Sequence, residues 1–395
     1  MTKALKNNLK RENGSLVQTT ICLCNRLCDE KACGQQSFAV GVSGGADSLA
    51  LVYLLREWAL RCGKKIVALT VDHQLRPTSR QEADYVAKLM RQAGIEHHIL
   101  TWEGEKPVSG IETAAREARY RLLEDWCLSN GIYTIFMAHH KRDQAETFFI
   151  RLQRGSGLDG LCGIAPASSV GRLTVLRPLL DIAPEALRDY LNAANIRWVE
   201  DESNQCDDYL RVRVRKLLPQ LAEVLGLSEE RIVDTMATLR RSKAYLDEQT
   251  ERIVKNQVQY FSDDVVAVSA GELLKLHPEM RFRLMARLLK QISGRVYPPR
   301  ADDLENLCCR MEDAAFKSAT LGGCEVCFRN GRFWIFREEK AAKSLSREQW
   351  RSFCEEYPRL KRMNIPARAR RQLYWGLLNG KNLYIKSRLT IKVLF

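Results

Sequence analysis

The chain has 395 residues, of which 45% are hydrophobic, which fits a soluble globular protein of two or three domains. No apolar run approaches the ~18 residues of a membrane-spanning helix, and the Lys-rich start leads into no signal-peptide pattern. Neither a membrane-spanning nor a secreted protein is expected, and a cytoplasmic one is. The net charge of +14 points to a polyanionic partner, most often nucleic acid, although solubility alone would also account for it.

In chain order, residues 1–14 read as a loose polar tail and 15–32 as a helix. The apolar run 38–42 reads as a buried strand and 49–59 as an amphipathic helix, with Leu51, Leu54, Leu55 and Trp58 at helical spacing. Strand 64–71 ends in Asp72-His73, helix 79–93 stops at Gly94, and strand 97–102 follows. Helix 111–129 stops at Asn130-Gly131, strand 133–138 ends in His139-His140, and the next helix starts near Asp143. A strand at 175–179, a helix and residues 197–199 close this region. Such β–α alternation predicts a doubly wound parallel sheet with its ligand beyond the carboxyl ends of the strands. The segment 43–48, Asp72-His73 and His139-His140 should then meet in space.

Further on, Pro219 breaks the pattern, residues 220–293 read as helical throughout, and 318–337 read as a β-hairpin turning at Asn330-Gly331. The expected domains are a tail and lead-in helix (1–36), an α/β catalytic domain (37–218), a mostly helical domain (219–340) and a small basic α+β domain (341–395).

The chemistry centres on Ser43-Gly44-Gly45-Ala46-Asp47-Ser48, a glycine-rich strand-to-helix turn. Paired glycines let successive backbone N–H groups converge on an anion, and the following helix points its positive end at the same place. Asp47 would repel bound phosphates unless a cation sits between them. The segment therefore reads as a Mg²⁺–pyrophosphate cradle for ATP, with Asp47 as the metal ligand. No Gly-Lys-Ser/Thr closes it, so it is not a Walker A loop. A plain tight turn with a helix cap is the alternative.

Arg116, Arg119 and Tyr120 share a helix face with Glu112, placed either to steady an α-phosphate or to form a surface ion-pair ladder. Asp143 and Glu146 lie three apart on the first turn of a helix, beside His139. They could hold a cationic amine or a second Mg²⁺, while capping alone would explain Asp143. Arg154-Gly155 reads as a flexible basic loop or a helix stop.

The 13 cysteines are odd in number and scattered, which predicts reduced thiols. Cys22, Cys24, Cys28 and Cys33 fit no familiar zinc spacing, and Cys324/Cys327 is a single pair. Residues 357–395 contain no Asp or Glu and interleave Tyr374, Trp375 and Tyr384 with ten cations, from Arg359 to Lys392. They read as an RNA-contact surface or as a basic face beside a small aromatic core.

Together these residues resemble the tRNA(Ile)-lysidine synthetase family of N-type ATP pyrophosphatases. The resemblance rests on Ser-Gly-Gly-Ala-Asp-Ser, Val71-Asp72-His73, Ala115-Arg116 with Arg119-Tyr120, and His139-His140 with the Asp-Gln-Ala-Glu-Thr stretch 143–147. It continues through Arg154-Gly155, Arg177-Pro178, and Asp201 with Ser203-Asn204 ahead of Arg211, Arg213 and Arg215. Gln74 stands where the family usually has Gly, and Val212 where it usually has Asn.

The resemblance implies that ATP adenylates the C2 oxygen of the wobble cytidine of a CAU-anticodon tRNA(Ile). The side-chain amine of free L-lysine then displaces AMP to give lysidine. It implies ATP binding at residues 43–48 and at Asp72 and His73. Asp47, Arg116, His139, Asp143 and Glu146 would be catalytic, and Arg119, Arg154, Arg211, Arg213 and Arg215 would contact substrate together with Asp143 and Glu146. A tRNA cytidine thiolase on the same fold is the alternative, and a homodimer is compatible with either.

Overall fold

The computed structural model describes residues 3–31, 33–107, 109–200, 210–295, 297–338, 345–361, 363–379 and 383–384. Asp201, Ser203, Asn204, Arg362, Lys381, Lys386, Arg388, Lys392 and the side chains of Glu112 and Lys361 lie outside the described residues. The chain divides into two compact units, Met1–Arg241 and Ser242–Phe395.

The first unit runs α1 (Lys3–Glu30), β1 (Ser37–Gly41), α2 (Ala46–Cys62), β2 (Lys65–Asp72), α3 (Ser79–Gln92), β3 (Glu96–Thr101), α4 (Ile111–Ser129) and β4 (Thr134–Phe136). It continues with α5 (Lys141–Gln153), α6 (Leu158–Leu161), β5 (Ala167–Val170), β6 (Leu173–Leu176), α7 (Pro184–Ala193) and α8 (Leu210–Leu225), and ends within α9 (Glu229–Gln257). The sheet order is β3-β2-β1-β4-β6-β5; all neighbours are parallel except the edge strand β5.

Side chains of β1 alternate between two cores, which is why the strand reads as a continuous apolar run. Phe38 and Val40 face α1, α2, α3 and α7, while Ala39 faces the layer that holds Leu123 and Cys127 of α4. Phe38, Trp58 and Phe136 stack edge-on or tilted at 5.2–5.7 Å, and the indole N–H of Trp58 donates to Asn25 Oδ1 at 2.8 Å. The strand order reverses between β1 and β4, so the ligand crevice of this doubly wound sheet falls between their carboxyl ends.

Three local readings need correction. Helix α1 begins at Lys3 and takes in the segment read as a loose tail, because its Lys, Leu and Ala residues are good helix formers. Helix α8 runs through Pro219, which is exposed, rather than stopping there; packing of Val212, Val214 and Leu218 holds the turns that precede the lost backbone donor. The helical reading of 220–293 is interrupted by a hairpin, β7 (Val258–Ser262) and β8 (Val265–Ser269), whose β-branched and aromatic residues favour a half-buried pleated surface.

The second unit continues with α10 (Ala270–Lys275), α11 (Pro278–Ser293), α12 (Ala301–Arg310), β9 (Ser318–Leu321), β10 (Cys324–Arg329), β11 (Arg332–Arg337), α13 (Arg347–Glu356), α14 (Pro358–Lys361) and α15 (Ala367–Leu378). Its antiparallel sheet has the order β7-β8-β11-β10-β9. The expected hairpin turns at Asn330 (φ 55°) and Gly331 (φ 70°), the two positive values a type I′ turn requires.

One face of this sheet packs on α10–α12 and the other on α13 and α15. Cys324 lies in the first core and Cys327 in the second, on opposite faces, so the pair cannot share one metal ion. In the acid-free segment, Tyr374 packs on Phe353 at 5.5 Å, Arg370 lies over the Trp350 ring, and Arg368 Nη1 donates to Glu325 Oε2 at 2.7 Å. In the described part of that segment Tyr374 belongs to a small aromatic core, beside which Arg359 and Arg368 are exposed.

Candidate active site

The turn after β1 is held in shape by its own serines. The Ser48 hydroxyl accepts from the backbone N–H of Ser43 at 3.1 Å and donates to Gly45 O at 3.0 Å. Gly44 has φ +89°, and a Cβ there would meet Val86 Cγ2 at 3.0 Å. Its carbonyl accepts from Val199 N–H at 3.0 Å. No side chain caps α2, whose N-terminal N–H groups thus face the crevice as a ready anion site.

A cavity of about 310 Å³ opens there. Of the residues expected at the site, Ser43, Gly45, Asp47, Ser48, Arg119, His139, Asp143 and Arg211 line it, together with apolar Val42, Leu69, Val71 and Met137. Gly44, Ala46, Asp72, His73, Arg116, Glu146, Arg154, Arg213 and Arg215 do not.

Each of the latter residues has a definite place. Asp72 is buried, its Oδ1 accepts from Gln74 N–H at 3.0 Å, and its Oδ2 has no hydrogen-bond partner among the described residues. His73 meets Trp102 edge-on and lies 3.5 Å from Nη2 of Arg119. Gln74 has φ +52°, a left-handed conformation that explains why a relative would place Gly there. Arg116 is exposed over the Tyr120 ring, and Arg154 and Arg213 are also exposed. Val212 is buried.

Glu146 is fully buried; Arg215 Nε lies 2.7 Å from its Oε1 and Arg211 Nε 2.9 Å from its Oε2. An ammonium at Glu146 would have to displace one of these guanidinium groups. Burial raises the proton affinity of the Glu146 carboxyl and outweighs the opposing pull of Arg215 and Arg211.

The sequence places His140 at the crevice beside His139 but assigns it no role. Helix α5 begins at Lys141, so its N-cap is His140 and not Asp143. The Asp143 N–H donates to His140 Nδ1 at 3.4 Å, and the His140 N–H donates to Asp143 Oδ2 at 3.0 Å. The other ring nitrogen, Nε2, lies 3.4 Å from Asp47 Oδ2 and 3.7 Å from Asp143 Oδ2. Burial alone would lower the pKa of His140; Asp47, Asp143 and Glu146 overcome it and hold the ring above its ordinary value. The available signal was the residue just before a helix with Asp three positions later, the pattern of a capping box.

His139 behaves oppositely. Burial, reinforced by Arg177, Arg211 and Arg116, takes its pKa down to about 4, against the pull of Asp143, so the ring is neutral near pH 7. Asp143 is buried, which by itself would raise its pKa, but His140, Arg211 and His139 keep it below the ordinary carboxylate value. Arg177 was likewise missed as a site residue; it is buried and its Nη1 donates to Ala165 O and Ser168 Oγ. Gln144 is also fully buried and pins the loop between α6 and β5, donating to Ile164 O at 2.8 Å and accepting from Ile164 N–H at 2.7 Å.

Asp47 Oδ1 is buried and has no hydrogen-bond partner among the described residues, an environment that fits a cation. Among the described residues no group of three His, Cys, Asp or Glu could hold a metal ion. A hard divalent cation at Asp47 would draw its remaining ligands from phosphate oxygens and water.

Comparison with known proteins agrees with this geometry. The PP-loop domain family matches residues 18–221. The tRNA(Ile)-lysidine synthase of Ruegeria pomeroyi is 36% identical over 307 residues, covering 78% of this chain and 72% of that one. The tRNA(Ile)-lysidine synthase of Hyphomonas neptunium is 38% identical over 299 residues, covering 73% of this chain and 78% of that one. Among solved structures, a U34-tRNA thiolase of Methanococcus maripaludis with its [4Fe-4S] cluster is 18% identical with a TM-score of 0.45, over 51% of this chain and 71% of that one.

Proposed function

The chain belongs to the tRNA(Ile)-lysidine synthase family, and we propose on that premise how its residues carry out ATP-dependent formation of lysidine on tRNA(Ile). The observation that carries the reading is the single cavity lined both by the phosphate-binding turn and by the Asp143, His139 and Arg211 cluster. A cytidine carbonyl is a poor electrophile until its oxygen becomes part of a leaving group. Adenylation of the C2 oxygen of the wobble cytidine supplies that, with release of pyrophosphate.

In this scheme the α2 N-terminus and the Ser43–Gly45 backbone bind the departing phosphates. Asp47 Oδ1 would hold Mg²⁺, whose charge would offset that of the departing pyrophosphate. Arg119, on the cavity wall, stabilises charge at the α-phosphate; the exposed Arg116 adds only to the field. The apolar wall formed by Val42, Leu69, Val71 and Met137 accepts the base of ATP.

Asp143 receives the lysine ammonium. Its Oδ1 lies 3.9 Å from Arg211 Nη2, beyond hydrogen-bond range, and so stays open to a charge-assisted donor. Neutral His139 offers an acceptor nitrogen to the same amine. Glu146 anchors Arg211 and Arg215, and the exposed Arg154 and Arg213 meet tRNA phosphates. Residues 1–241 carry the chemistry and 242–395 contribute tRNA contacts. Among the described residues no helix is long and apolar enough to cross a membrane; a tRNA substrate supports a cytoplasmic reaction.

The test is incorporation of labelled lysine into a CAU-anticodon tRNA(Ile) transcript. Incorporation that requires ATP and survives base treatment supports the scheme. Label that base removes would mark an aminoacyl ester and overturn it.

A further inference from the structure

The carboxylate of Asp47 is held from one side only. Its Oδ1 is buried without a partner among the described residues, and its Oδ2 faces Nε2 of His140 at 3.4 Å. His140 is itself 6% exposed and cannot turn to solvent, whereas the Asp47 side chain is 36% exposed and depends on this contact for its orientation. The two residues follow neighbouring parallel strands, β1 and β4, on either side of the crevice. The other ring nitrogen of His140, Nδ1, accepts from the Asp143 N–H at 3.4 Å, which leaves Nε2 as the proton-bearing nitrogen directed at Asp47.

We infer that His140 is a positioning residue: through Nε2 it fixes Asp47 Oδ2 and so leaves Oδ1 aimed at the cation of a Mg²⁺–nucleotide complex. This task is separate from capping α5 through Nδ1. It rests on the reading of the β1–α2 turn as a Mg²⁺–ATP site. Partners of metal ligands orient them in this way, and losing such a partner weakens metal binding more than it weakens the fold.

The two ring nitrogens can be tested separately. Asn is a preferred N-cap residue and mimics Nδ1, but it cannot reach Asp47. Gln mimics Nε2 and gives up the cap. Binding of a non-hydrolysable ATP analogue to full-length protein is measured by calorimetry with Mg²⁺ and again with EDTA, alongside thermal melting.

For His140→Asn we expect the Mg²⁺-dependent affinity to fall about tenfold to a hundredfold, the loss of one hydrogen bond to a charged group. Its affinity in EDTA and its melting temperature should stay close to wild type. For His140→Gln we expect Mg²⁺-dependent affinity near wild type with a lowered melting temperature. Unchanged Mg²⁺-dependent affinity in His140→Asn, or equal losses with and without Mg²⁺, overturns the inference. Should His140→Asn not fold, His140→Ala is compared with His140→Gln: Mg²⁺ enhancement lost in Ala and retained in Gln supports the positioning role, and equal enhancement in the two contradicts it. A wild-type protein that binds no analogue under either condition overturns the nucleotide-site reading itself.

Discussion

Arg215 Nε lies 2.7 Å from Oε1 of Glu146, a carboxylate with no exposure to solvent. The two partners are unequal. The arginine is about a third exposed and can turn its guanidinium to water, whereas Glu146 cannot. Arg215→Met should therefore destabilise by about 1–3 kcal/mol, the cost of leaving a buried polar group poorly satisfied. Glu146→Gln should cost under about 1.5 kcal/mol, since the arginines it releases become solvated. Urea unfolding of both variants checks the order. A larger loss for Glu146→Gln would mean that the arginines, not the carboxylate, are the trapped group.

Backbone conformation gives a second prediction. Gln74 sits at φ +52°, where a side chain costs free energy that Gly does not. Gln74→Gly should stabilise the fold by up to about 1 kcal/mol. Gly44→Ala, at φ +89° and with Val86 in the way, should destabilise it by about 1–3 kcal/mol and weaken ATP binding. Denaturation midpoints of the two variants should move in opposite directions; a shared direction would contradict the turn geometry.

The buried histidines set the pH dependence. His97, whose Nε2 lies 2.8 Å from Thr70 Oγ1, has its pKa taken by burial from 6.5 down to about 4. Its neutral form is favoured in the folded state, so its contribution is complete above pH 6.5. It is lost as pH falls towards 4, because the unfolded chain takes up the proton first. His139, also at about 4, acts in the same sense. His140 acts in the opposite sense, its stabilisation fading as pH rises through its raised value. Stability should rise with pH between about 4 and 6.5, and His97→Gln should flatten that slope. An unaltered slope in the variant would show that His97 is already charged when folded.

Exposed cations offer a test of tRNA contact. Arg154→Gln and Arg213→Gln change residues at the surface of the first unit. Each should weaken tRNA binding across sequences and lower the salt slope by about one unit, while ATP binding stays unchanged. Equal slopes in wild type and variants would remove both residues from the RNA surface.

Much of this was legible because local pattern and topology rule agree. The apolar run of β1, the glycine pair and the amphipathic α2 name a phosphate-binding turn, and the β–α alternation brings Asp47 and His139 to one crevice. What was not legible depends on partners distant in sequence. Nothing near Glu146 announces that Arg211 and Arg215 neutralise it, and although the topology brings His140 near Asp47, nothing announces that its Nε2 faces that carboxylate. The β7–β8 hairpin was hidden because its short apolar strands lie between long helical segments, where periodicity over a few residues is ambiguous. The sequence leaves Tyr374 open between base stacking and an aromatic core, because its partner Phe353 lies 21 residues away.

The most direct test of the account is the mass of the wobble nucleoside released from a CAU-anticodon tRNA(Ile) transcript after incubation with the protein, ATP, Mg²⁺ and lysine. The account predicts a cytidine carrying lysine at C2, absent when ATP is withheld or when Asp47→Asn replaces the wild type. A cytidine left unmodified by active protein, or one carrying sulfur in place of the C2 oxygen, would contradict it.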